Sequence, residues 1–415
     1  MEPFHFHNDE LYAENTPVRK VVAEFGTPVY IYSRAAIELA YKQFTDAFNN
    51  HDHLICYAVK ANSNLGVLSL LARLGAGFDI VSGGELERVI RAGGDPASVV
   101  FSGVGKQDPE IIAALTTGIA CFNVESRQEL ERISFLANKL GLQAPISIRV
   151  NPDVDAKTHP YISTGLKENK FGCSMPEALK MYELATTLPN LKICGIDSHI
   201  GSQITELAPF LDAMTKILTL VDELASKNII LDHIDVGGGL GVQYADEEPI
   251  QLDEYAGALT QLMGHRKTRL IFEPGRYLTA NAGILVSKVI NLKENESKHF
   301  AIIDAGMNDL IRPALYNSWQ RITEVTQSSK ETKQYDVVGP ICETGDFLGK
   351  NRDLTLAPDD LVAIHSAGAY GFVMSSNYNS RNRPAEVIVS GSKAHCVRDR
   401  ETIEDQLKLE RKFPI

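Results

Sequence analysis

After the first fifty residues, short apolar runs alternate with longer stretches whose apolar residues recur at i, i+3 and i+4. The short runs predict strands at 53–59 (HLICYAV), 78–81 (FDIV), 98–102 (SVVFS), 120–124 (ACFNV), 145–150 (PISIRV), 192–200 (KICGIDSHI), 231–236 (LDHIDV) and 269–273 (RLIFE). The longer stretches predict helices between them, among them NLGVLSLLARLGA, GGELERVIRAGG, ESRQELERISFLANKLG and ELAPFLDAMTKILTLVDELASKN. Eight strands alternating with helices over about 220 residues match a (β/α)8 TIM-like barrel. An open doubly wound sheet is the rival. Its dinucleotide fingerprint belongs in the first strand–helix turn, and the turn here reads VKANSNLG.

Past residue 280 the pattern changes. GILVSKVINLKE, KHFAIIDAG, YDVVGPICE, DLVAIHSAGAY and AEVIVSG are β-rich with little helical periodicity between them. This predicts an all-β C-terminal domain over 280–415, after a barrel over 35–279. The segment 1–34 is expected to pack with the β-domain, TPVYIYS (27–33) adding a strand to it. Residues 151–173 form an unusually long connection after the fifth strand; loops of this length are often lids or binding loops, and a plain surface excursion is an equal reading.

Composition narrows the function classes. The chain has 415 residues, 44% hydrophobic, with a net charge of −12, so no clustered positive field offers itself to nucleic acid or a membrane surface. Six scattered cysteines without a C-x-x-C pair fit a reduced, cytoplasmic setting rather than a disulfide scaffold. The polar N-terminus has no apolar core of a secretory signal, and no run of 18 apolar residues occurs. No metal is implied.

Barrels gather their chemistry at the C-terminal ends of their strands. Strand one ends on YAVKAN, and a lysine closing a buried strand must pair, reach water or be chemically used. The other ends carry Asp79, His199 in SHIGSQ, the glycine run DVGGGLG, and Glu273 with Arg276 in EPGR. Singly, each has an ordinary reading: His199 as a structural histidine, the glycines as a tight turn, EPGR as a salt-bridged turn, Lys60 paired with Asp79. Five such ends on one rim point to a common cause, an anionic cofactor with a carbonyl. Gly237, Gly238 and Gly239 let backbone N–H groups approach phosphate oxygens, with Gly275, Arg276 and Ser202 closing the site. Lys60 then condenses with the aldehyde of pyridoxal 5'-phosphate, Glu273 keeps the pyridine nitrogen protonated, and His199 lies against a ring face.

YAVKAN, FDIVSGGEL, HIGSQ, DVGGGLG and EPGR, in this order, resemble the fold-type III pyridoxal-phosphate enzymes, which pair a barrel with a β-domain and include alanine racemases and basic amino-acid decarboxylases. GPICETGDFLG (339–349) is similar to the cysteine motif of the decarboxylases, which racemases lack. The resemblance implies a homodimer with shared active sites, in which Cys342 of one chain protonates the carbon that loses carbon dioxide in the other. Glu343 in place of aspartate, NDLIRPALY (308–316), THPYISTGLKENKFG (158–172) and GAYG (368–371) resemble the diaminopimelate-decarboxylating subfamily. This implies that Arg276, Arg312, Tyr316, Glu343 and Tyr370 bind an amino-acid substrate, Tyr370 also lying near the cofactor. The implied reaction converts meso-2,6-diaminopimelate to L-lysine and CO2, the last step of bacterial lysine biosynthesis. A decarboxylase of D-lysine, D-ornithine or arginine, or a regulator that has lost turnover, stays open as an alternative.

Overall fold

The computed structural model describes residues 2–155 and 169–414. The chain folds into two compact units, one of Glu38–Gln243 with Glu247–Leu278, the other of the residues up to Ile37, Tyr244–Asp246 and those from Thr279 on.

The first unit is a closed parallel barrel of β1 (His53–Ala58), β2 (Gly77–Ile80), β3 (Val99–Phe101), β4 (Cys121–Val124), β5 (Ala144–Arg149), β6 (Leu191–Asp197), β7 (His233–Asp235) and β8 (Arg269–Phe272). Each strand pairs with the next in sequence, and β8 returns to β1 with Leu270 opposite His53. All eight expected strands form. β6 ends at Asp197 rather than 200, because the chain leaves the ladder there to pass across the β7 loop. Side-chain caps fix several helix starts: Asn64 accepts from Gly66 N at 2.8 Å, and Ser82 and Ser126 cap their helices at 3.2 Å each.

Small side chains fill the lower barrel. Cys56, Val100, Cys121, Cys194 and Ile271 pack as one buried layer, and no disulfide forms among the described residues. There is room for nothing larger: a Cβ on Gly195 would lie 2.1 Å from His233 Nε2, and one on Gly77 2.5 Å from Ser98 O. At the end of β8, the Phe272 ring lies tilted 4.2 Å from that of Phe48, with Phe44 and Tyr255 against the same ring. Truncating a ring so enclosed costs about 3–5 kcal/mol.

Most of the 158–172 stretch lies outside the described residues. The feet of the connection are pinned side by side, with Asn151 N donating to Cys173 O (2.8 Å) and Cys173 N to Arg149 O (2.9 Å).

The second unit is built on the long strand Gly283–Glu294. Val29–Ser33 pairs with it antiparallel and with Ala385–Ser390 in parallel, so the N-terminal strand joins the C-terminal sheet as expected. Leu361–Ile364 and His299–Ile303 also pair with Gly283–Glu294. Val29, Ile31, Ile284, Val286, Val387 and Val389 form its core. Glu14, buried, ties the N-terminal hairpin in by accepting from Ser33 Oγ and Ala35 N at 2.8 Å each. Two short helices, Arg312–Tyr316 and Ile403–Leu407, punctuate the C-terminal part of this β-sheet unit.

Candidate active site

Lys60 lies in a single 3-10 turn, Val59–Ala61, directly after β1. The turn is held from below: buried Tyr57 donates its hydroxyl to Asn62 O (3.1 Å), and Asn62 Oδ1 accepts from Asn64 N (3.1 Å). An asparagine two residues after the lysine therefore has a job, to hook the backbone back on itself. Lys60 Nζ lies 2.5 Å from Asp79 Oδ2; Asp79 is fully buried, while the lysine side chain keeps 37% exposure. The amine is thus paired with Asp79 on a side chain that still reaches solvent. Both structural readings of that lysine hold at once, and neither excludes its chemical use.

The ends of β6 and β7 are zipped together. Gly238 N donates to His199 Nδ1 (3.1 Å), Ile204 N to Gly239 O (2.9 Å), and Gln203 exchanges amide bonds with Val242 at 2.6 and 3.1 Å. The glycine run is forced by this closeness. Gly237 and Gly239 have φ of +71° and +102°, and a Cβ at Gly237, Gly238 or Gly239 would lie 2.8 Å from Ser198 O, 2.3 Å from Glu273 O or 2.4 Å from Gly201 O. Arg276, itself buried, donates from Nη2 to Ser202 Oγ at 2.9 Å, so these two side chains meet beside the run.

His199 accepts at Nδ1, so its neutral ring carries the proton on Nε2. Burial first, then the nearby charges of Arg149 and Lys60, holds its pKa well below the ordinary histidine value. Glu273, at the end of β8, is buried and accepts from Ser102 Oγ at 3.4 Å. Its carboxyl oxygens lie within 4.8 Å of those of Asp197 and Asp235. Burial pushes all three carboxyls upward, Asp235 to about 7; the charge of Asp235 raises Asp197 and Glu273 further, whereas Glu273 acts to lower Asp235. Carboxyls so crowded share protons until a cation arrives, and a positive ring nitrogen beside Glu273 would restore its charge.

Sequence reasoning passed over Asp197, Asp235 and Arg149. Arg149 lies between Glu125 (3.3 Å) and Asp197 (3.7 Å) inside the barrel. The signal was present, one charged residue set into an otherwise apolar strand, as in PISIR and HID.

A second group lies on the β-rich unit. Arg312 is buried at the start of its short helix, its guanidinium 5.1 Å from the Tyr244 ring and 5.8 Å from that of Tyr316. The two rings hold the fork in a set orientation. Cys342 is exposed, with Glu343 beside it, in the loop that follows the strand Lys333–Val338. Tyr370 adopts a left-handed backbone with φ of +55°.

The model of the pyridoxal-dependent decarboxylase family, pyridoxal binding domain, matches residues 34–280. The diaminopimelate decarboxylase of Pseudomonas aeruginosa is 58% identical over 405 residues, 98% of each chain. The chain belongs to the diaminopimelate decarboxylase family. The crystal structure of the Helicobacter pylori member complexed with L-lysine superposes with a TM-score of 0.92 at 44% identity, covering 94% of this chain and 98% of the other. That of the M. jannaschii member, in co-complex with L-lysine, gives 0.95 at 35% identity, covering 99% and 98%. Membership makes this chain a carboxy-lyase of the pyridoxal-dependent class, with the barrel and β-sheet unit of that family. Among the described residues no helix is long and apolar enough to cross a membrane.

Proposed function

We propose that this chain removes the carboxylate at the D centre of meso-2,6-diaminopimelate, yielding L-lysine and CO2, with pyridoxal 5'-phosphate held on Lys60. The observation that carries the reading is the full-length likeness to family members whose structures hold L-lysine, the product of this reaction.

The residues of the barrel fit the cofactor: an accessible amine on a buried aspartate, a glycine cradle, and a buried acid awaiting a cation. Bound there, pyridoxal phosphate supplies an electron sink for the pair of electrons that departing CO2 leaves behind. Lys60 would hold the cofactor through its amine until the substrate amine takes that place. Asp79 holds that amine in register. Gly237, Gly238, Gly239 and Gly275 would bring backbone against the phosphate, and Ser202 and Arg276 would add a hydroxyl and a charge. Glu273 would supply a negative charge for a protonated ring nitrogen, and neutral His199 would offer a flat face to the ring.

On the substrate side, Cys342 delivers a proton to the carbon that lost CO2. Arg312 and Tyr316 take the distal carboxylate, which a guanidinium fork suits, and Glu343 takes the distal ammonium. Arg276 and Tyr370 complete the contacts. We also propose that two copies of the chain share each site, Cys342 and Glu343 acting on substrate held by the other copy, in a cytoplasmic enzyme. The sequence similarity favours this substrate over an amine-only one, because an amine-only substrate leaves Arg312 without an anion to recognise.

The test is CO2 release by the cofactor-loaded protein from meso-diaminopimelate, D- and L-lysine, D- and L-ornithine and L-arginine. Release confined to diaminopimelate is expected. Comparable release from an amine-only substrate would overturn the distal assignment.

A further inference from the structure

The segment SNYNSR (376–381) supplies none of the groups assigned to cofactor or substrate, yet it touches the loop that carries Cys342. Asn379 Oδ1 accepts the Cys342 N–H at 2.8 Å, and the Glu343 carboxylate raises the pKa of the neighbouring Tyr378. Asn379 adopts φ +55° and ψ +28°, a left-handed conformation that asparagine tolerates better than most residues. That conformation presents its amide oxygen to the loop.

The turn is itself anchored. Ser376 N donates to Asn308 O (2.9 Å), Arg381 Nη2 to Asp304 O (3.1 Å), and Asn377 bonds Glu401, which in turn holds Arg383 at 3.1 Å. The opposite side of the loop is pinned by Asp346, buried, whose two oxygens accept from Met307 N and Ile341 N at 2.6 Å each. Gly306 and Gly339 approach so closely that a Cβ on Gly339 would lie 2.5 Å from Gly306 Cα. Three segments distant in sequence, 306–309, 339–346 and 376–381, therefore form one hydrogen-bonded hub. Asn308 also leads into the helix that carries Arg312 and Tyr316.

We propose that Asn379 is a positioning residue for Cys342, fixing the backbone of the Cys342–Glu343 pair so that thiol and carboxylate keep a constant separation. This rests on the reading of Cys342 as proton donor. Asp346 pins the base of the loop; Asn379 pins its tip. The hydrogen bond reaches a backbone N–H, so it acts on where the thiol sits, with no part in the proton's transfer.

The experiment compares Asn379→Gly, which keeps the left-handed backbone and removes the acceptor, with Asn379→Asp, which keeps the acceptor. In the cofactor-loaded protein, hydrogen exchange of the 340–346 peptide is read by mass spectrometry, together with turnover of meso-diaminopimelate. The glycine variant is expected to exchange that peptide faster and to lose about 5–10-fold in kcat with KM little changed, as befits one hydrogen bond. The aspartate variant is expected to restore both. In a Cys342→Ala background, Asn379→Gly should lower kcat no further. Unchanged exchange, or a full and independent loss of kcat in that background, would overturn the proposal. Full turnover by Cys342→Ala alone would instead remove the proton-donor reading on which it stands.

Discussion

The barrel rim and the β-rich hub hold their functional residues by opposite means. On the rim, each side chain stands at the end of its own strand, and parallel register brings Lys60, Asp79, His199, the glycine run and Glu273 to one end of the barrel. In the hub, the residues come from three irregular segments joined by side chains accepting backbone N–H groups. The rim is fixed by the fold and tuned by charge. The hub is fixed by individual hydrogen bonds and tuned by their loss. Rim substitutions should therefore act on cofactor and stability, hub substitutions on the substrate step.

The sharpest contrast is expected from Lys60→Ala. It should lose turnover by roughly three orders of magnitude or more, on the order of the contribution of a covalent attachment point. It should also lose the cofactor's lysine-bound absorbance band. Retained turnover would break the rim half of the comparison. Next comes Arg312→Ala, which should keep that band while losing about 2–5 kcal/mol in kcat/KM for diaminopimelate, since a charged group facing it loses its partner. An altered band with normal substrate kinetics would place Arg312 with the cofactor instead.

Gly238→Ala should cost about 1–3 kcal/mol of stability, because the added carbon would lie 2.3 Å from the immobile Glu273 carbonyl. Thermal unfolding and cofactor titration read the two consequences, and an unchanged Tm would show that this backbone can move apart. Asp235 is probed by pH. Its folded pKa of about 7 stands above an unfolded value of about 3.9, so the stability it contributes is fully present below about pH 4 and lost as pH rises through about 7. Asp235→Asn, in cofactor-free protein, should flatten the fall in Tm over that window. Parallel pH profiles would show that a neighbouring carboxyl holds the proton.

The same contrast explains what the sequence revealed. Short apolar runs between helix-capping residues made the eight strands readable, and rim residues stood out as polar side chains closing those runs. Asp197 and Asp235 close their strands too, but the expected strands ran on to residues 200 and 236, so neither stood out as ending a run. Arg312, Cys342 and Glu343 came only through resemblance, because no periodicity predicts segments joined by single hydrogen bonds. Asn379 was missed for that reason: its partner lies 37 residues away in an irregular loop. The short helix at Arg312–Tyr316 escaped as well, being too brief to show a repeat.

The proposed function turns on Lys60, whose amine pairs with Asp79 and whose side chain keeps partial exposure. The most direct test is to load the protein with pyridoxal phosphate, reduce it with borohydride and map the phosphopyridoxyl group by peptide mass spectrometry. The label is expected on the peptide containing Lys60 and on no other. A label on another lysine, or none on a protein that still releases CO2 from diaminopimelate, would contradict the assignment of Lys60 as the cofactor's anchor.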